Sequence, residues 1–420
     1  MQTDHPIRKL FLIWLAWAFI LIAYQAIVPM RLSLQRPDYA LSWTPPETAP
    51  HSQDDKPYLN DPFMNAQVSW DSEFYLSIAT VGYDDPAVRA IPPGFFWDRP
   101  QFCVAGQDKP CYSLNYAFLP AYPYLARLIA FPLRALRALR LTPIATSTLA
   151  AVIVSLLGAL GAMLALYDLV KDELAEAGGL RAAFYLIIFP SGFFLAQVYT
   201  EGLFVGAAFG CLALLRRKQW LGAGLLAVLA TWTRAVGIAL VIPLAIAWRR
   251  EFDGWYIDRA TILRSLVVVM PLAAYLVWRF SAWGQAFTLV EHTYFSREPL
   301  ALERSFGAWN QAWQTLFNDN LQARAYYAVE FAAIVLGLVA CVWTLKKHPS
   351  LSLFGLAVIV VSLTSGAAQG MHRYVLAVPS IFVVLSRLGK SEPFDRGWTL
   401  LSALLMGLYA TLYAFDMWAG

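Results

Sequence analysis

An all-α integral membrane protein, a single polytopic domain over residues 1–420 with about eleven spans, is what this sequence predicts. Three observations point to it. Of the residues, 59% are hydrophobic and only 14% charged, where soluble domains carry about 25% charged residues. Apolar windows approaching the roughly 20 residues that a span requires recur along the whole chain. Short basic clusters separate them at intervals, as cytoplasmic loops do. The net charge of +4 gives no sign of a nucleic-acid partner.

The elements follow in order. Residues 10–29 are apolar, too long for a signal peptide and without a small-residue cleavage site, so they read as a retained first span. Arg8 and Lys9 ahead of it place the N-terminus in the cytoplasm. Residues 30–141 then form a large first extracytoplasmic loop bearing amphipathic helices. Its segment 31–111 holds six Lys/Arg against eleven Asp/Glu. Cys103 and Cys111 share this loop and are able to pair in an oxidising compartment, while Cys211 and Cys341 lie in apolar windows as core thiols. Residues 116–133 are apolar but carry Pro120, Pro123 and Pro132, and proline costs about 3 kcal/mol inside a helix. They run into Arg134, Arg137 and Arg140 at helical spacing. A re-entrant or interfacial segment with snorkelling arginines fits this pattern better than a plain span.

Further apolar windows fall near 143–167, 182–199, 201–215, 219–233, 235–248, 262–281, 324–345, 351–366, 372–388 and 398–417. Arg216-Arg217-Lys218, Arg249-Arg250, Lys346-Lys347 and Arg387 with Lys390 mark cytoplasmic ends, and residues 282–323 form a second extracytoplasmic loop. On this topology the polar residues at window ends gather on the outer face: Asp71 and Glu73, Glu201 after Tyr199, Arg234, His292, and His372-Arg373-Tyr374. Each alone has a plain reading: Arg234 as a snorkelling anchor, Glu201 as a helix-end residue, His292 as an ordinary loop histidine. Ionisable groups at membrane depth are costly, and their gathering on one face marks a site.

Two carboxylates and two arginines on such a face suit group transfer from a lipid phosphate carrier. The leaving phosphate is already a good anion and needs cations, which the forked guanidinium groups of Arg234 and Arg373 supply. The acceptor hydroxyl needs a base, which one carboxylate supplies, and the displacement inverts the sugar carbon. A glycosidase would need a second carboxyl to protonate the leaving oxygen, a role open to Glu201 or Glu73. No cofactor is required. A Mg²⁺ or Mn²⁺ ion is compatible with these carboxylates, but no ligand spacing calls for one.

Trp70-Asp71…Tyr75…Ile78-Ala79…Gly82-Tyr83 resembles the first-loop signature of the PIG-V family of mannosyltransferases. Ala117-Phe118-Leu119-Pro120-Ala121-Tyr122-Pro123 is similar to that family's Phe-Phe-Pro-Leu-Tyr-Pro element. Pro190…Phe193-Phe194…Tyr199-Thr200-Glu201 with Thr233-Arg234…Gly237 resembles its middle block, and Arg373-Tyr374…Pro379 its late one. The resemblance implies a GT-C-type helical bundle in a bacterial plasma membrane. It also implies a hexose, most often mannose, carried on a polyprenyl phosphate and passed to a lipid or glycan acceptor at the extracytoplasmic face. Carried over residue by residue, Asp71 is the base, Glu201 an accessory catalytic acid, and Arg234 and Arg373 the donor-phosphate contacts. Trp70, Glu73, Tyr199, His292, His372 and Tyr374 complete the substrate-binding set. The chain departs from the family at Leu119 and Ala121 and in a Pro-rich stretch at 37–62, which leaves the acceptor open. Two other classes remain: a transporter or flippase of lipid-linked sugars, which should show internal repeats that this chain lacks, and a non-catalytic membrane partner, which would need neither Asp71 nor Arg234.

Overall fold

The structure, a computed structural model, describes residues 5–34, 36–106, 110–135, 140–252 and 258–420. Among the described residues, five helices are long and apolar enough to cross a membrane: Pro6–Arg31, Pro143–Ile188, Arg259–Phe280, Leu321–Thr344 and Glu392–Ala414. A sixth span results if Met371–Ala377 and Pro379–Leu388, bent by 84° at their junction, count as one. The bend falls at Val378, whose backbone the following proline holds extended. The chain is an integral membrane protein built as a helical bundle.

The eleven apolar windows therefore do not map one to one onto long helices. The windows at 143–167 and 182–199 merge into the helix Pro143–Ile188, broken at Ala175, where φ is 60°. That helix stops before Pro190, and a 3₁₀ turn, Gly192–Ala196, carries the rest of the second window. The window at 235–248 divides into a 3₁₀ turn, Ala235–Leu240, and a short helix, Val241–Glu251. Residues 116–133 form the end of a 3₁₀ turn and the 15-residue helix Ala121–Ala135, shorter than the roughly 20 residues a span takes. Arg134 lies in its last turn; Arg137 falls outside the described residues.

Small residues set how closely the core helices pack. A Cβ on Gly202 would stand 2.3 Å from the Ser155 carbonyl oxygen, and one on Gly206 2.4 Å from that of Gly158. The helix Glu201–Arg216 thus lies backbone to backbone against Pro143–Ile188. At one end of the bundle the basic clusters meet acidic residues of that long helix: Lys9 pairs with Glu176, Arg216 with Asp172, Arg217 with Asp168, and Lys347 and Arg387 with Glu173.

The first loop packs at the other end. Its central helix, Ser72–Thr80, is held by Arg127, whose guanidinium donates to the carbonyls of Ala79 and Ile78 at 2.9 and 2.8 Å. A cation there complements the negative helix C-terminus. Cys103 and Cys111 are joined by a disulfide, beside a two-stranded antiparallel ribbon of Ala90–Ile91 and Tyr112–Ser113. The second loop contributes the helices Ala282–Thr293 and Leu302–Thr315.

Candidate active site

Three turns of chain converge here. The first ends at Asp71, the N-cap of the helix Ser72–Thr80. The residue before it, Trp70, has a φ of 53°, a conformation costly for a bulky side chain and held only where its surroundings enforce it. Those surroundings are visible. The Trp70 indole donates to the Met417 carbonyl at 3.4 Å, and the Asp71 amide donates to the Tyr199 hydroxyl at 3.2 Å. Ser72 Oγ donates to the Val198 carbonyl at 3.0 Å.

The second turn opens the helix Glu201–Arg216. Glu201 is buried and faces two guanidinium groups. One belongs to Arg234, which ends the helix Trp220–Thr233 in extended conformation. The other is Arg373, whose Nε lies 3.2 Å from Glu201 Oε1.

The third turn begins at Gly370, where φ is 79°. Glu330, from the middle of the helix Leu321–Thr344, accepts the backbone N–H groups of Gly370, Met371 and His372 at 2.8, 2.6 and 3.2 Å. This fixes the start of the short helix Met371–Tyr374 and with it Arg373. The Arg373 guanidinium is stacked against Tyr199, Tyr374 and Phe194, at 5.1, 5.2 and 5.3 Å from their ring centres. Glu201 lies along its Nε edge. Its Nη1 atom lies 3.8 Å from Asp71 Oδ2 and its Nη2 donates to the Tyr374 hydroxyl at 3.4 Å. Arg234 stacks on the same Tyr374 ring at 4.6 Å.

These groups line a cleft of about 700 Å³. Of the site residues expected from sequence, Trp70, Asp71, Glu73, Arg234, Arg373 and Tyr374 border it. Tyr199 and Glu201 stand behind it, beneath the arginines. His372 is not part of its wall: the ring is buried, with Nδ1 2.8 Å from Glu330 and Nε2 2.7 Å from the Ala419 carbonyl. His292 faces a separate surface hollow that includes Arg279 and Gln285, 3.7 Å from Glu298. Sequence reasoning missed Arg297 and Glu291, which the second loop brings to the cleft wall. Their signal was weak, two of several charges in a loop of ordinary composition. Among the described residues no group of three or more His, Cys, Asp or Glu side chains is placed to hold a metal ion.

Burial dominates the electrostatics of the carboxyl groups. It raises Asp71 above the usual aspartate range, against the opposing pull of Arg373 and Arg297. It also pushes Glu73 up to about 7, against Lys56 and Arg89, and Glu291 up to about 7, against Arg297. A cleft with three arginines at one wall and a buried carboxyl beside them can hold a phosphate and accept a proton within the same space.

No curated protein matches the chain. Among solved structures it is similar to the oligosaccharyltransferase of Archaeoglobus fulgidus. The apo form aligns at 12% identity and TM-score 0.44, over 96% of this chain and 56% of that one. The archaeal enzyme AglB of the same organism, in complex with an inhibitory peptide and a dolichol-phosphate, aligns at 12% identity and TM-score 0.40, over 95% of this chain and 55% of that one. The chain thus spans about half the length of these structures. The family model described as mannosyltransferase (PIG-V) matches residues 84–388. That interval takes in Glu201, Arg234, Arg297 and Arg373 and begins just after the Trp70–Tyr83 stretch. Covering well over half of the sequence, this match shows that the chain belongs to the PIG-V mannosyltransferase family.

Proposed function

We propose that this protein is an inverting glycosyltransferase that moves a hexose from a polyprenyl-phosphate sugar to an acceptor hydroxyl at the extracytoplasmic face of the membrane. The observation that carries the reading is the Asp71 carboxylate, 3.8 Å from Arg373 Nη1, in a cleft that Arg234 and Arg297 share. The guanidinium forks of Arg373, Arg297 and Arg234 hold the donor phosphate. Asp71 takes the proton of the acceptor hydroxyl as its oxygen bonds to the sugar C1 from the face opposite the phosphate. The C1–O bond to phosphate breaks, and the polyprenyl phosphate leaves with that electron pair. Charge builds on the leaving phosphate in this step, so fixed cations stabilise the transition state more than the ground state.

Glu201 takes a different part here from the accessory acid the resemblance implies. It does not border the cleft, and both of its neighbours are arginines. It acts as the counter-ion that holds Arg234 and Arg373 in position while the Nη side of Arg373 stays directed at the cleft. Val236, Phe287 and Val361 give the cleft an apolar flank, suited to a lipid tail. Two features support the outward orientation. The disulfide lies on the cleft side, and disulfides persist in oxidising compartments. The basic clusters lie at the opposite end, as the positive-inside rule requires.

The test is donor turnover by the purified protein in nanodiscs, with polyprenyl-phosphate mannose as the probe. Release of polyprenyl phosphate by the wild type, and its loss in Asp71→Asn with donor binding intact, is the expected result. Equal release by both proteins would remove Asp71 as the base.

A further inference from the structure

We propose that Trp43, Trp70 and Trp418, together with Glu73, form a subsite that seats a sugar ring of the acceptor. The inference rests on Asp71 acting as the base. The cations around Asp71 are Arg373, Arg297 and Arg234, so the donor phosphate occupies that wall. The acceptor hydroxyl must then reach Asp71 from the other side, where Glu73 lies two residues on along the same helix.

Three indole rings cluster around Trp70, the residue before Asp71. Trp43 meets Trp70 at 5.5 Å and Trp418 at 4.8 Å, and Trp70 meets Trp418 at 5.2 Å, all three edge to face. All three border the cleft, and Trp43 is 38% exposed. The rings are held by bonds between distant segments. Arg36 donates to the Phe415 carbonyl at 2.8 Å and pairs with Asp416 at 3.0 Å. Asp38 Oδ2 accepts the Trp418 amide at 2.8 Å.

Glu73 supplies the polar half. Lys56 is already bonded to Glu47 at 2.6 Å, and Arg89 to Asp55 at 3.1 Å. The Glu73 carboxyl borders the cleft with no hydrogen bond or ion pair to any described residue. A pyranose offers what this pair of features needs: a face of weakly positive C–H groups for the electron-rich indole faces, and a rim of hydroxyl donors for a carboxyl acceptor. A lipid tail would instead leave that carboxyl facing hydrocarbon, which is costly. Trp43, Trp70, Glu73 and Trp418 all lie outside the family-matched interval 84–388.

The experiment is saturation-transfer NMR on the full chain in nanodiscs with methyl α-mannoside and methyl β-glucoside as probes. Polyprenyl phosphate binding is measured in parallel. At least one glycoside should receive saturation at its ring C–H protons. Trp43→Ala should weaken that binding on the order of five- to tenfold, the scale of one aromatic contact, and Trp43→Phe should restore most of it. Glu73→Gln should weaken it while leaving polyprenyl phosphate binding unchanged. The proposal is overturned if neither glycoside binds, or if binding is indifferent to both Trp43→Ala and Glu73→Gln. Absence of polyprenyl phosphate binding in the wild type would count against the donor reading alone, because the glycoside signal is judged separately.

Discussion

Glu201→Gln separates a positioning carboxylate from a catalytic one. The substitution keeps the shape of the side chain and removes one negative charge from beneath two arginines. At the 3.2 Å separation from Arg373 Nε, an effective dielectric of about 20 gives a gross attraction of about 5 kcal/mol. Arg234 adds a second contact of the same kind. Desolvation offsets much of this, and removing one partner of a buried pair costs about 3–5 kcal/mol net, because the other partner stays buried and uncompensated. Unfolding of the purified protein in detergent should therefore show a large loss of stability. In the surviving folded fraction both guanidinium groups lose their anchor, so the donor KM should rise by about tenfold or more, with a smaller fall in kcat. The refuting result is the reverse pattern. Unchanged stability and donor KM, with kcat down by about 10²–10⁴-fold, would make Glu201 a proton-transfer group.

Four further outcomes are expected. Arg373→Lys should insert and fold yet lose donor turnover in the nanodisc assay, because lysine lacks the two-pronged fork; full turnover would return Arg373 to a purely structural role. The acid limb of the kcat/KM profile should lie above the ordinary aspartate range, since burial raises Asp71 and a base works only when deprotonated; a limb at or below about 3.9 would contradict this. Glu73 and Glu291 are each raised from 4.5 to about 7, so the stability they contribute is present below 4.5 and is lost as pH rises through about 7. Unfolding measured across that window should show the decline, and Glu73→Gln with Glu291→Gln should flatten it. Gly202→Val should cost about 1–3 kcal/mol or more by forcing two helices apart, since even a Cβ there stands 2.3 Å from the Ser155 carbonyl; wild-type stability would refute the close approach.

The helical membrane architecture was legible because hydropathy is a sum over many residues. The division into helices was less so. A hydropathy window cannot sense that Pro190 and Gly192 turn the chain, or that Thr233 ends a helix so that Arg234 faces a cleft. That Asp71, Arg234 and Arg373 gather on one face was legible because a charge beside apolar windows is costly without a purpose, and all three border the cleft. His372 gave the same signal and has a different job, tying Glu330 to the Ala419 carbonyl. His292 lay in the right loop but on the outer side of its helix. Arg297, Glu291, Trp43 and Trp418 reach the cleft through contacts between segments hundreds of positions apart, and no local pattern encodes them.

Glu330 links insertion to assembly. A carboxylate in the middle of a membrane helix costs about 2.5–3.5 kcal/mol on insertion scales, and the helix Leu321–Thr344 carries one that is wholly buried. That cost is offset when the Gly370–His372 backbone closes over it, the same event that aims Arg373. A chain whose third turn has not docked keeps an unsatisfied anion within the bilayer. Site formation and the stable membrane fold are thus coupled through one carboxylate.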